Sequence, residues 1–403
     1  MVPKAIAIIG GGPAGAMAAE KLARGGASRV TVFEEKLNWE KPCGGGLSHK
    51  ALRRYPFLSQ ATPQTGGKYV RDAEFVAPNG ASVRFRLREP LAIYARRVLN
   101  HLLLRRAEEA GAEVVPGHLT GFRRAGSGWE FSARQKSYHA DYLILAAGAR
   151  TALRRLLTGG FGTRDFMLTY GYYAPLQDDL LRVQFFRDFE GYAWAFPRPD
   201  HLSVGICGKM AEENMAGLQE RLHGFMRQFG YAVGDSVPHG HAGGSAVFSH
   251  LLPALSVESW GNLRLEGPAW ALAGDAAGLV DSVTGEGIYY AMRSGELLAE
   301  ALLEGFPALY PERVREEFGR ALALGARLAP LFYRGDFLGA PVTTRLVEFS
   351  ARSRRFRAVL QDLIEGSQSY PGLAARLYWG LTGTLWEVAA GLLSEKGLRP
   401  ETL

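Results

Sequence analysis

The chain has 403 residues, 47% hydrophobic and 22% charged, the balance of a globular protein large enough for one sizeable core or two and unlike a disordered or fibrous chain. Two cysteines, Cys43 and Cys207, exclude a disulfide scaffold and a cysteine-built zinc or iron–sulfur site, and they suit a reducing cytoplasm. A formal charge of +7 suits an anionic ligand such as a nucleotide, phospholipid or diphosphate, and is equally ordinary surface charge at this length.

Residues 4–9 read as a buried parallel strand. Its apolar run ends in glycines rather than a cleavage site, so it is not expected to be a signal peptide. Gly10-Gly11-Gly12-Pro13-Ala14-Gly15 follows, then a helical run from Ala16 to Arg24. This is the dinucleotide fingerprint: Gly10 permits the tight turn, Gly12 lets the backbone approach a pyrophosphate, and Gly15 lets the helix pack on the strand. The helix N-terminus then offers unpaired N–H groups and a favourable dipole to phosphate. A second strand, Val30 to Phe33, ends in Glu34, roughly 20 residues on, where a carboxylate accepts bonds from ribose hydroxyls. An acid there favours an unphosphorylated ribose, as in FAD or NAD, without choosing between them.

Further along lie Lys41-Pro42-Cys43-Gly44-Gly45-Gly46-Leu47, where glycines allow close backbone approach to a ligand, and Ile93 to Asn100, with Arg96 ahead of a helix. Tyr142 to Leu145 reads as another buried strand. In Gly191-Tyr192-Ala193-Trp194-Ala195-Phe196-Pro197 three aromatics alternate, so they share one face and form either an apolar wall for a ligand or plain core packing. His239 and His241 stand in a glycine-rich stretch without metal-binding spacing, and no metal site is expected. Trp270 to Ala273 reads as a strand ending in Gly274-Asp275, where a short acid can hold the ribityl hydroxyls of a flavin. Gly285-Glu286-Gly287-Ile288 then opens a helix whose N-terminus can stabilise negative charge on a reduced isoalloxazine. This second site favours FAD.

The C-terminal region reads as helices that mix Arg345, Arg352, Arg354, Arg355 and Arg357 with Tyr378, Trp379 and Trp386. Such a surface either rests on an anionic membrane or caps the fold with a solvated basic face. The apolar stretch from Trp379 to Leu393 is interrupted by Gly380, Thr382, Gly383 and Glu387 and is too short and polar to span a bilayer.

The glycine fingerprint, Glu34 and the Gly274-Asp275 and Gly285–Ile288 segments resemble the para-hydroxybenzoate-hydroxylase-like flavoproteins, over residues 4–46, 91–150 and 269–303. The resemblance implies that Arg96 contacts FAD and that Tyr142 to Ala149 closes the FAD domain. Many members carry an Asp-Gly pair just after that strand, associated with both FAD and pyridine nucleotide; here Ala149-Arg150-Thr151 stands instead. The electron donor therefore stays open among NAD(P)H, ferredoxin and a reduced carrier.

The Cys43–Gly46 loop, the Tyr192–Pro197 strand and Gly366 to Leu373 together resemble the geranylgeranyl reductase branch. The resemblance implies an α/β flavoprotein in which a Rossmann-type FAD-binding domain (1–70, 91–160 and 264–311) is interleaved with a mixed β-sheet substrate-binding domain (71–90 and 161–263), followed by a helical region at 312–403. It implies reduction of a carbon–carbon double bond in an isoprenoid chain by hydride from the flavin. Tyr192, Trp194 and Phe196 are then expected to line the substrate, with Gly44 and Gly45 beside the flavin and Cys43 and Tyr192 as candidate proton donors. Cys207 is a candidate partner for Cys43 across the cavity. The partner expected from the resemblance is a prenyl lipid, with no nucleic acid, and the expected setting is the cytoplasm or the inner face of a membrane. The alternatives are a flavin monooxygenase or halogenase, for which Lys68 is the candidate channel lysine, and a cluster-free electron-transfer flavoprotein.

Overall fold

The computed structural model describes residues 2–61, 66–231 and 247–397. His239 and His241 lie outside the described residues. Six strands form one sheet in the order Glu266–Gly267, Trp270–Leu272, Tyr142–Leu145, Ala5–Ile9, Arg29–Glu34 and Glu113–Pro116. All neighbours are parallel except the first pair, with Ile8 opposite both Val32 and Ile144. Every residue of Ala5–Ile9 is buried, as a strand covered on both faces requires.

One cover is helical. Pro13–Arg24 crosses Ile288–Leu303 so closely that a Cβ on Gly295 would lie 2.2 Å from the Ala14 carbonyl oxygen. The other cover is a small antiparallel sheet, Leu119–Ala125, Gly128–Ala133 and Lys136–Ala140, whose Phe131 and Tyr138 pack edge-on against Phe33.

A second sheet has eight strands in the order Val247–Pro253, Phe166–Ala174, Leu202–Lys209, Gly191–Pro197, Leu180–Phe185, Lys68–Val76, Ser82–Ile93 and Gly46–Leu47. It is mixed: Leu180–Phe185 runs parallel to Lys68–Val76, and the other neighbours are antiparallel. The fold is thus the expected α/β arrangement of a Rossmann-type sheet interleaved with a mixed sheet. The chain passes between them repeatedly: Gly46–Leu47 joins the far edge of the second sheet before the helix Arg96–Glu109 returns to the first.

The C-terminal region is helical, as expected. Arg320–Arg334, Val342–Arg352 and Arg354–Glu365 lie over the second sheet, where Tyr333, Val347 and Leu360 share a core with Phe75, Phe85, Phe185 and Trp194. Several arginines expected on a basic face are spent within the region. Arg345 donates to the Phe337 carbonyl and to Glu348, Arg357 to the carbonyls of Ser350 and Ala351, and Arg355 pairs with Glu387. Among the described residues no helix is long and apolar enough to cross a membrane.

Candidate active site

The two sheets and the C-terminal helices enclose one cavity of about 1960 Å³. That exceeds the roughly 300–1,000 Å³ of an ordinary small-ligand cleft. Gly10, Gly12, Glu34, Cys43, Gly44, Gly45, Arg96, Asp275, Gly285, Gly287, Ile288, Tyr192, Trp194 and Phe196 all line it, so fourteen of the sixteen residues expected to hold cofactor or substrate or to donate a proton share one chamber. Gly15 and Gly274 stand just behind its wall.

At one end the glycine loop behaves as its spacing requires. Gly10 has φ +102°, and a Cβ there would meet the Ala146 carbonyl at 2.5 Å. A Cβ on Gly15 would lie 1.9 Å from the Gly10 carbonyl, so only glycine lets this helix close on its strand. Gly12 differs: it caps Pro13–Arg24 from an extended conformation, and a Cβ there would touch nothing within 4 Å. That open ground beside a helix N-terminus is what a diphosphate needs. Glu34 holds the loop by accepting from the Gly11 N–H at 2.6 Å, and its second oxygen accepts from the Lys36 N–H at 2.7 Å.

The second segment faces the first. Gly274–Ala277 forms a single tight turn, and Asp275 points at Lys41, whose Nζ lies 2.5 Å from its carboxylate. Burial alone would raise the Asp275 pKa; the Lys41 charge and hydrogen bond, with Arg96, outweigh it and hold the carboxyl below its ordinary range. His250 completes this cluster, and burial with the Lys41 charge pushes its pKa down to about 4, so it is neutral at neutral pH. Gly285, at φ +70°, leaves space for the Tyr192 hydroxyl, which a Cβ would approach to 2.7 Å. Gly287 caps Ile288–Leu303 with no side chain of its own.

Two residues that sequence reasoning passed over hold the Cys43–Gly46 loop. Arg198 is 0% exposed. It donates to Glu40 at 2.8 Å and to the Cys43 carbonyl at 2.9 Å. Glu40 in turn accepts from the backbone N–H groups of Arg96 and Arg97, capping that helix from a distance. Arg198 directly follows the aromatic strand, and Glu40 directly precedes the Lys41–Leu47 motif; adjacency to those motifs was the available signal.

The other end of the cavity is apolar. Tyr192, Trp194 and Phe196 do share a face, and Phe185, Leu252, Phe332 and Leu360 extend their wall. A Cβ on Gly44 would strike the Phe196 ring at 2.6 Å, so the glycine loop lies directly on this wall. The Tyr192 hydroxyl donates to the Thr284 carbonyl at 2.6 Å, and burial raises its pKa well above the ordinary phenol value. Cys43 and Cys207 both line the cavity and both are free thiols. Cys207 lies opposite Tyr192 on the neighbouring strand, and burial pushes its thiol up to about 12. Lys68 is not a channel lysine: its ammonium donates to the Asp178 carbonyl and pairs with Asp179, away from the cavity lining. Lys68 is the first residue of the strand Lys68–Val76, and Asp178 and Asp179 lie in the turn that leads into its parallel neighbour Leu180–Phe185.

The FAD dependent oxidoreductase family, DAO, matches residues 71–301, more than half of the chain. The chain belongs to this family of FAD-dependent oxidoreductases. It is an oxidoreductase whose cofactor is FAD, and the geometry fits that group: an open cap at Gly12, a carboxylate at Glu34 and a buried Arg96 Nε without a hydrogen-bond partner. The chain is 28% identical over 330 residues to the chloroplastic geranylgeranyl diphosphate reductase of rice, covering 74% of this chain and 66% of that one. It thus spans just under two thirds of that relative's length. It is 28% identical to the menaquinone reductase of Mycobacterium tuberculosis, over 84% of this chain and 87% of the relative. A geranylgeranyl bacteriochlorophyll reductase-like protein from Thermoplasma acidophilum has the same fold, with TM-score 0.72 at 20% identity over 93% of this chain and 98% of that one.

Proposed function

We propose that this flavoenzyme saturates carbon–carbon double bonds of an isoprenoid chain. The observation that carries the reading is continuity: one cavity runs from the dinucleotide cradle into an aromatic and aliphatic chamber with room for a long apolar chain. The rice relative, named a geranylgeranyl diphosphate reductase, supports the same substrate class.

In this reading the six-stranded sheet holds the cofactor and the eight-stranded sheet holds the prenyl chain. Gly10, Gly12 and Gly15 shape the diphosphate cradle, Glu34 takes the ribose, and Arg96 and Asp275 take the polar middle of the cofactor. Gly274 keeps the turn tight, while Gly44, Gly45, Gly285, Gly287 and Ile288 border the isoalloxazine. When bound, FAD supplies the hydride that reduces the alkene. Tyr192, Trp194 and Phe196 hold the alkene in place and exclude water, so positioning supplies much of the rate. Lys41 keeps Asp275 ionised, hence a hydrogen-bond acceptor for hydroxyls.

A lipid substrate also suits a peripheral membrane contact. Tyr378, Trp379 and Trp386 on the last helix are 71%, 82% and 76% exposed, an uncommon display of large aromatics. Co-sedimentation with anionic vesicles, lost on Trp379→Ala with Trp386→Ala, tests that contact.

The reaction is tested without oxygen. The purified enzyme, reduced with dithionite, is mixed with geranylgeranyl diphosphate, and products are weighed by mass spectrometry. The expected product gains two hydrogens per saturated bond. An oxygenated or halogenated product formed only in air contradicts the reading, and fast exchange with a quinone but no alkene points to an electron carrier.

A further inference from the structure

Asp281 is a buried carboxyl left over by every cofactor-binding role above. It opens the loop that ends at Gly285–Gly287, lines the cavity, and is 5% exposed. Its Oδ1 accepts from the N–H groups of Val283 at 2.8 Å and Thr284 at 3.3 Å. Its Oδ2 meets the Tyr370 hydroxyl at 2.8 Å, and the same hydroxyl lies 2.9 Å from Oδ1. One oxygen is thus committed to the backbone and the other faces a single hydroxyl at the cavity wall.

A turn-capping role accounts for Oδ1 alone. It leaves unexplained why Tyr370, just before the last helix, reaches across to the flavin-side loop. Gly325 makes that reach possible: a Cβ there would lie 3.0 Å from the Tyr370 ring and 3.4 Å from Asp281 Oδ1. The groups facing Asp281 are Glu286 on its own loop and the phenols of Tyr192, Tyr290, Tyr333 and Tyr370. The Glu286 charge is met by Lys50 at 2.8 Å. Burial and Glu286 raise the Asp281 pKa; the backbone N–H groups and Tyr370 oppose them, and the net direction is upward. A carboxylic acid kept neutral in an apolar site can donate a proton.

We propose that Asp281, positioned by Tyr370, is the acid that protonates the alkene carbon that does not receive the hydride. The inference rests on the reductase reading. Reduced flavin, when bound, would supply the hydride for one new C–H bond and with it both electrons. The alkene electron pair takes the Asp281 proton to form the second C–H bond, as the carboxyl O–H bond breaks. The carboxylate left behind is held by two N–H groups and the Tyr370 hydroxyl until solvent reprotonates it.

Asp281→Asn preserves the acceptor that the loop and Tyr370 use but has no acidic proton. Dithionite-reduced holoenzyme is mixed anaerobically with geranylgeranyl diphosphate, and flavin reoxidation is followed against pH. Asp281→Asn should retain its flavin and slow reoxidation by about 10²–10⁴-fold. The wild-type rate should fall as pH rises through the raised Asp281 pKa, and Tyr370→Phe, which removes a donor to the carboxylate, should move that fall to higher pH. Independently of turnover, the infrared spectrum of the wild type should show, at pH values below that fall, a protonated carboxyl band that Asp281→Asn lacks. A wild-type rate and pH profile in Asp281→Asn overturns the proposal, as does the missing band. Should Asp281→Asn lose its flavin, the Tyr370→Phe profile decides, and an unmoved profile overturns it. A wild type that no prenyl chain reoxidises overturns the reductase reading itself, and the acid with it.

Discussion

Replacing Arg198 with methionine removes a buried guanidinium that ties the end of the aromatic strand to the Cys43–Gly46 loop. Methionine keeps most of the volume and loses the hydrogen bonds to Glu40 and to the Cys43 carbonyl, together with the stacking of the guanidinium 5.0 Å from the Tyr173 ring. Breaking a buried ion pair costs roughly 3–5 kcal/mol because the remaining charge is stranded. Here Glu40 keeps two backbone N–H donors, and Ser203 still donates to the Cys43 carbonyl at 3.1 Å. The lower end, about 3 kcal/mol, is therefore expected. At about 1.2 °C per kcal/mol for a chain of 403 residues, thermal unfolding of the holoenzyme should move down by about 3–4 °C. Flavin affinity should weaken as well, because the loosened loop carries Gly44 and Gly45. Adding Glu40→Gln removes the stranded charge, so the double variant should be more stable than the sum of the single costs implies, by about 1–2 kcal/mol. A loss under about 1 kcal/mol for Arg198→Met, or strictly additive costs, would refute this reasoning.

Gly12→Val should abolish most FAD binding with the fold intact, because its side chain enters open cavity; flavin titration is expected to show a loss of at least about 100-fold, with an unchanged circular dichroism spectrum. Trp194→Ala enlarges the apolar chamber and should raise KM for a geranylgeranyl chain by roughly 10-fold while leaving flavin affinity alone, as steady-state kinetics would show. His250 has a folded pKa below its unfolded value, so its contribution to stability is present above about pH 6.5 and lost as pH falls towards about 4. Between those limits the flavin-free wild type should lose up to about 3 kcal/mol more than His250→Asn, measured by urea unfolding at each pH.

Much of the site was legible in the sequence because its parts are local. Gly10, Gly12 and Gly15 act through backbone clearance within one turn, and Glu34 follows at a spacing fixed by the strand and helix between. Alternation placed Tyr192, Trp194 and Phe196 on one face, although only the fold shows that this face looks into the cavity. What stayed hidden is non-local. Lys41 finds Asp275 across the cavity, Arg198 finds Glu40 and Cys43, and Tyr370 finds Asp281 from the far end of the chain; no spacing rule encodes those pairs. Lys68 misled for the same reason, since its partners Asp178 and Asp179 belong to a distant turn. The small sheet over Phe33 was overlooked: Gly126-Ser127 marks one of its hairpins, but Arg134 and Gln135, which close the other at positive φ, carry no turn signal in the sequence.

One cavity serves both FAD and a prenyl chain in the proposed reaction, and anaerobic stopped-flow spectroscopy tests this most directly. Reduced holoenzyme mixed with geranylgeranyl diphosphate should recover its oxidised flavin spectrum without oxygen, at a rate that saturates with substrate and is slowed by Trp194→Ala. A spectrum that stays reduced until air is admitted would contradict the account.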